Sequence, residues 1–227
     1  WNIEHRGSFL DSTGKNNITW GLKYQQETIN DNLWDWVYID SAGYSLPNPF
    51  DSTIELNTVV IADNNIVNQR INGFIQNVNR FGTRDKWMLN YGVRVSYASL
   101  NNETDISPRI SATYIPAWKR HLSFKAATGV YYQPPFYREM RNSRGELNTN
   151  LKSQRAIHFI LGSEYQFLWW GREFKLVTEA YYKKLDDLVP YKMYNVQLTY
   201  AGQNIAKGYA TGLDLRLNGE LVEGAES

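Results

Sequence analysis

From Leu122 to Tyr132 the chain alternates without interruption, and this is the pattern that most restricts its fold. Leu122, Phe124, Ala126, Thr128, Val130 and Tyr132 fall on one face of a strand, and Ser123, Lys125, Ala127, Gly129 and Tyr131 on the other, until Gln133-Pro134-Pro135 ends the run. Strands of compact domains usually last about 5–6 residues. A strand that crosses a lipid bilayer at a tilt needs about 9–11. The stretch Trp87 to Tyr97 repeats the pattern, with Trp87, Leu89, Tyr91, Val93, Val95 and Tyr97 opposite Met88, Asn90, Gly92, Arg94 and Ser96. Ten residues at roughly 3.3 Å each, tilted by about 40–45°, rise roughly 25 Å, the height of the apolar band between two aromatic girdles. Trp87 and Tyr97 would therefore sit at opposite interfaces. Arg94 and Lys125 in mid-strand would be costly in a dry core and are natural against a wet lumen.

The same grammar runs through the chain. Ile18, Trp20, Leu22 and Tyr24 alternate with polar neighbours, as do Ile157, Phe159 and Leu161 against His158 and Glu164, Phe174, Leu176 and Ala180 against Lys175 and Glu179, and Leu213, Leu215 and Leu217 against Asp214, Arg216 and Asn218. Arg94, Lys125, Glu164 and Glu179 are thereby assigned to the lumen-facing side. Short turns are expected at 11–16, 81–86, 116–119, 168–172 and 222–227, and longer loops at 31–67, 100–107, 133–153 and 187–205, the asymmetry of outer-membrane barrels. The turn rim carries Trp87, Trp118, Trp169 and Trp170. A mean hydropathy of -0.52 and the lack of any long apolar run argue against helical spans. Barrels escape that measure, because half their residues face water. The abundance of Tyr and Trp, 16 and 8, suits interfaces with one wet side.

The expected fold is an all-β, antiparallel, up-and-down transmembrane β-barrel, present in part: roughly nine strands of a larger barrel that closes with an even number. Residues 1–227 read as part of one such domain. Trp1 at the first position and Gly224-Ala225-Glu226-Ser227 at the last suggest a piece of something longer. A net charge of +1 gives no pull toward nucleic acid, and the absence of cysteine removes thiol chemistry and disulfides.

Between Asp105 and Gln203 the order of several short segments carries a resemblance. They are Ser107-Pro108-Arg109-Ile110-Ser111; Tyr131-Tyr132-Gln133-Pro134-Pro135-Phe136-Tyr137-Arg138-Glu139-Met140; Asn148-Thr149-Asn150-Leu151-Lys152; Leu161-Gly162-Ser163-Glu164-Tyr165; and Glu179-Ala180-Tyr181-Tyr182-Lys183-Lys184-Leu185-Asp186-Asp187-Leu188-Val189, with Gly208-Tyr209-Ala210-Thr211-Gly212-Leu213-Asp214 beyond them. In this order and spacing they resemble the C-terminal half of a TonB-dependent outer-membrane receptor barrel. The resemblance implies a barrel of about 22 strands closed by a plug, in the outer membrane of a Gram-negative bacterium. It also implies import of a scarce nutrient (siderophore, haem, cobalamin or oligosaccharide) with energy relayed through TonB. The plug, its TonB-contacting segment and the barrel ends lie outside these residues. The partners implied are outer-membrane lipid, the TonB complex through the missing plug region, a small-molecule or oligosaccharide ligand, and a surface lipoprotein.

Two loops carry candidate ligand-binding residues. In the 31–67 stretch Trp34 and Trp36, with Asp35, Tyr38 and Asp40, would stack a sugar, contact a lipoprotein or pack over the barrel mouth. In 133–153 Tyr137, Arg138 and Arg141, with Arg144, would hold an anionic ligand by charge-assisted bonds or serve as scaffold. No catalytic, cofactor or metal site is expected. His5, His121 and His158 lack ligand spacing, and no nucleophile elbow or phosphate loop occurs. Asp186 and Asp187 are adjacent and would face opposite sides of a strand, beside Lys183 and Lys184, which argues against a glycosidase pair. Two alternatives remain: a passive porin or structural barrel without a plug, and a soluble β-sandwich that binds carbohydrate.

Overall fold

The computed structural model describes residues 1–39, 55–118, 121–142, 144–194 and 197–219. Its centre is one antiparallel sheet of nine strands: β1 (Asn2–Leu10), β2 (Asn16–Ile39), β3 (Glu55–Phe81), β4 (Trp87–Ala98), β5 (Glu103–Tyr114), β6 (Leu122–Gln133), β7 (Gln154–Trp169), β8 (Arg172–Leu188) and β11 (Ala206–Gly219). Each pairs with the next in chain order, and β11 lies beside β8 because β9 (Tyr191–Tyr194) and β10 (Gln197–Tyr200) form a separate hairpin in the connection. This is the up-and-down order expected of a barrel wall.

Register fixes the two faces, since residues opposite one another point the same way. Trp87 faces Tyr114 and Phe81, Ile110 faces Tyr91 and Thr128, and Phe159 faces Thr128 and Tyr182. The row so defined is the apolar face, and it stays open: Leu161 is 67% exposed, and Ile75, Phe124, Leu213 and Leu215 are exposed as well. A β-sandwich would cover this face with a second sheet. Among the described residues none lies over it, and a single up-and-down sheet with an open apolar face is the arrangement expected of a barrel wall rather than of a sandwich.

The turn rim is aromatic, as expected. Phe81 stacks on Trp87 at 6.4 Å, Trp87 meets Tyr114 at 4.5 Å, and Trp169 stacks on Trp170 at 4.3 Å beside Phe174. The β7–β8 turn consists of Trp170 and Gly171 alone, with φ of 53° and 74°. Positive φ at both central residues defines the type I′ turn, whose twist matches that of paired strands.

The long-loop rim departs from expectation at two places. Within the expected 31–67 loop the described residues are strand: β2 continues to Ile39 and β3 begins at Glu55, giving strands of 24 and 27 residues paired with each other. The Asn- and Asp-rich stretch 30–32 breaks the apolar alternation, as expected of a ribbon beyond the apolar band, which needs paired backbone but no greasy face. Tyr38 lies in the ribbon, while Asp40 and Pro47-Asn48-Pro49 lie outside the described residues. The 100–107 loop is likewise short, because β5 already starts at Glu103 and the turn is residues 99–102, with Asn102 at φ 51°. The 187–205 connection folds into β9 and β10, and 133–153 contains one helical turn, α1 (Tyr137–Met140). The 222–227 turn lies outside the described residues.

The low β4–β5 turn has a structural consequence. It leaves a gap between the tall β2–β3 ribbon and the β6–β7 loop, and that loop leans across it. The buried cluster forms there and not within the sheet: Met140 is 0% exposed, with Leu151 and Val189, and Leu100, Leu147 and Tyr200 pack around it.

Candidate ligand-handling site

Alternation places a polar row on the other face of the sheet. Arg94, Arg109 and Lys125 line one concavity of about 470 Å³ together with Phe74, Ser107 and Tyr131. Arg94 lies over the Phe74 ring at 5.9 Å, and Arg109 over Tyr131 at 4.7 Å. His158 stacks on Tyr131 at 4.4 Å. Aromatic faces hold these cations in place without neutralising them. Among the described residues none of the three cations pairs with a carboxylate.

The two acids assigned to the same face sit elsewhere on it. Glu164 is engaged by Lys175 at 2.5 Å. Glu179 shares a register row with Lys125 across Gly162, which contributes no side chain between them. Sequence reasoning passed over Arg109, though its signal was the same as for Arg94: a cation in mid-strand on a polar face.

The mouth above this wall is built by the 133–153 loop. Its entry is fixed by Glu139, whose Oε2 accepts from the Phe136 backbone N–H at 2.9 Å and whose Oε1 accepts from Gln154 Nε2 at 2.9 Å. Its exit is fixed by Ser153, whose Oγ donates to Asp105 at 2.7 Å and whose N–H donates to Glu103 at 2.5 Å. Asn204 donates to the Lys152 and Asp187 carbonyls and accepts from the Lys152 N–H, tying the loop to the β10–β11 connection.

The far end of the loop reaches the ribbon. Tyr137 Oη donates to Asp31 Oδ2 at 2.5 Å and accepts from Asn64 Nδ2 at 2.9 Å, while Arg141 Nη1 donates to the same Asp31 oxygen at 2.8 Å. Asp31 and Asn64 are cross-strand partners. Gly145, at φ 82°, comes so close that a Cβ there would lie 2.9 Å from Val60 Cγ1. Burial, and then its hydrogen bond to Asp31, push the Tyr137 phenol above its ordinary value. The phenol thus stays a donor.

The five candidate ligand-binding residues therefore separate. Tyr137 and Arg141 meet on the inner face of the ribbon and are committed to Asp31. Arg138, on the same helical turn, is exposed. Trp34 and Trp36 are exposed on the opposite, outward face, where they pair with Ile61 and Val59. Sequence reasoning missed Asp31, Asn64, Glu103 and Ser153. Their partners lie 48 or more residues away, at |i−j| of 106, 73, 50 and 48.

A polar row on one face, an apolar row on the other and an aromatic turn rim are the features of an outer-membrane barrel wall. The sequence profile described as "TonB dependent receptor-like, beta-barrel" matches residues 2–224. The chain belongs to that family. No curated protein matches it by sequence. Among solved structures, a mutant of the ferric enterobactin receptor PfeA from Pseudomonas aeruginosa superposes with a TM-score of 0.66 at 16% identity, over 98% of this chain and 33% of that one. The siderophore receptor PirA from Pseudomonas aeruginosa gives 0.66 at 16%, over 98% and 37%. The outer membrane transporter YddB from Escherichia coli gives 0.62 at 14%, over 96% and 30%. At these identities the likeness concerns the fold. The TonB-dependent receptor segment described here spans about a third of the length of the structures it matches.

Proposed function

We propose that the whole protein is an outer-membrane receptor of a Gram-negative bacterium that captures a scarce nutrient at its outward loops and imports it with TonB-relayed energy. In this reading residues 1–227 are part of one transmembrane barrel domain, and a plug outside this chain gates it. One observation carries the reading: the 133–153 loop is pinned over the β4–β5 gap to the β2–β3 ribbon, above a concavity lined by Arg94, Arg109 and Lys125 with no carboxylate partner among the described residues. A folded mouth over a polar wall suits capture followed by release inward. Arg138 offers the exposed charge, and Tyr137 and Arg141 hold the loop that presents it. Trp34 and Trp36 would meet a ligand only from outside the mouth. Arg94, Lys125, Glu164 and Glu179 line the path.

Uptake in a strain lacking the gene tests this, with siderophore, haem, cobalamin and oligosaccharide supplied in turn. Gene-dependent uptake of one of them that stops when TonB is removed is the expected result. Gene-dependent flux that survives without TonB would establish a passive porin instead. Arg138→Ala should weaken capture of the transported ligand by about tenfold, the worth of one charge-assisted bond.

A further inference from the structure

The outward face of the ribbon is left without a role by the reading above. Beyond the row of Tyr24, Ile71 and Tyr97 the ribbon rises past its neighbour β4, which pairs with β3 only down to Arg70. Their inner residues are covered, with Ala62 buried and Ile29, Leu33 and Ile66 part-covered. Their outer residues from Thr28 and Val67 upward are exposed. Upward from the belt the outer cross-strand pairs are Gln26 with Gln69, Thr28 with Val67, Asn30 with Asn65, Asn32 with Asp63, Trp34 with Ile61, and Trp36 with Val59. Trp34 is 65% exposed and Ile61 59%.

Height decides among occupants. Trp34 lies ten residues beyond Tyr24, roughly 25 Å higher at about 3.3 Å per residue and a tilt of about 40–45°. The headgroup layer on each side of a bilayer core is only about 5–8 Å deep. Acyl chains and phospholipid headgroups therefore end well below the two Trp rings. Whatever meets them while standing in the same leaflet must be taller than a phospholipid.

The chemistry along the face narrows the choice. It runs from the lipid-facing belt (Leu22, Tyr24, Ile71) through a ladder of neutral amides, with Asp63 the only charge among the described residues, to two flat rings beside aliphatic side chains. Neutral amides donate to and accept from hydroxyls, and indole faces take the C–H face of a sugar ring. A phosphate-rich ligand would ask for cations, and among the described residues this face has none. Because the face continues the lipid-contacting wall without a break, its occupant is anchored in that lipid. We infer that the outward face of the ribbon, Trp34 and Trp36 above Asn30, Asn32 and Asn65, docks the saccharide part of a glycolipid of the outer leaflet. The contact would hold the ribbon upright, so that its inner face stays turned to Tyr137 and Arg141. The inference rests on the outer-membrane reading and is independent of which nutrient is carried.

Full-length protein in nanodiscs of three compositions tests it: phospholipid alone, with lipid A that lacks the core saccharide, and with lipopolysaccharide that retains its core sugars. Amide exchange across 28–36 and 59–67 is the readout. Core sugars should slow it by about threefold or more relative to lipid A. Trp34→Ala with Trp36→Ala should abolish the slowing, and Asn30→Ala with Asn65→Ala should reduce it. Equal exchange in the lipid A and core-sugar discs overturns the inference while leaving the membrane reading intact. So does protection that needs no sugar but tracks dimer formation, which would make a second copy the occupant. Failure to enter any disc overturns both.

Discussion

At the residue scale the mouth hangs on one carboxylate. Asp31 accepts from both Tyr137 and Arg141, and the Asp31 and Arg141 side chains are only 22% and 18% exposed. Removing the acid leaves a half-buried guanidinium and a phenol without their acceptor, a loss of about 1–3 kcal/mol. Asp31→Ala should therefore speed amide exchange in residues 136–147 while the strands below keep their protection. The phenol adds a pH signature. Its folded value is raised above the ordinary 10.0, so its contribution is complete below pH 10 and is lost only as pH climbs through that higher value. Ultraviolet titration of the wild type against Tyr137→Phe should show the missing phenol at the alkaline end of the tyrosine transition. At the other rim, Gly171 has φ 74° and no heavy atom within 4 Å of where a Cβ would sit. Gly171→Ala should therefore cost only the conformational penalty, about 1–2 kcal/mol, seen as a lower midpoint of denaturant unfolding.

At the scale of elements the strands were legible and the mouth was not. Leu122–Tyr132 and Trp87–Tyr97 announced themselves because lipid on one side and water on the other impose a two-residue period that nothing else in the chain overrides. Above the lipid that pressure disappears. Asn30, Asp31 and Asn32 then look like loop residues, although hydrogen bonding to Asn65, Asn64 and Asp63 keeps them in a ribbon. The same limit hid the site: Asp31 and Tyr137 are brought together by a loop crossing the β4–β5 gap, and no local period records such a crossing. The crossing depends on the small core of Met140, Leu151 and Val189. Met140 is fully buried, so Met140→Ala should cost about 2–5 kcal/mol locally. Because that core belongs to the loop and not to the sheet, the expected outcome is selective proteolysis within 133–153, with the barrel strands left intact.

At the scale of the whole molecule the two faces of one sheet obey opposite rules, and position alone sets which rule a residue follows. Leu161 lies on the apolar face, level with Ala126 and Ala180 near the middle of the band, and is 67% exposed. Ala127 lies on the polar face, among the residues that line the concavity with Lys125 and Tyr131. An arginine at the first position must either enter hydrocarbon or drag water into it, at a cost of about 2–4 kcal/mol near the midplane. A lysine at the second meets water and joins cations already there. Refolding of the full-length protein into lipid vesicles should therefore be weakened by about 2–4 kcal/mol in Leu161→Arg and changed little in Ala127→Lys. Equal losses at the two positions would mean that both faces are dry, and a lipid-facing wall around a wet interior could not then be maintained.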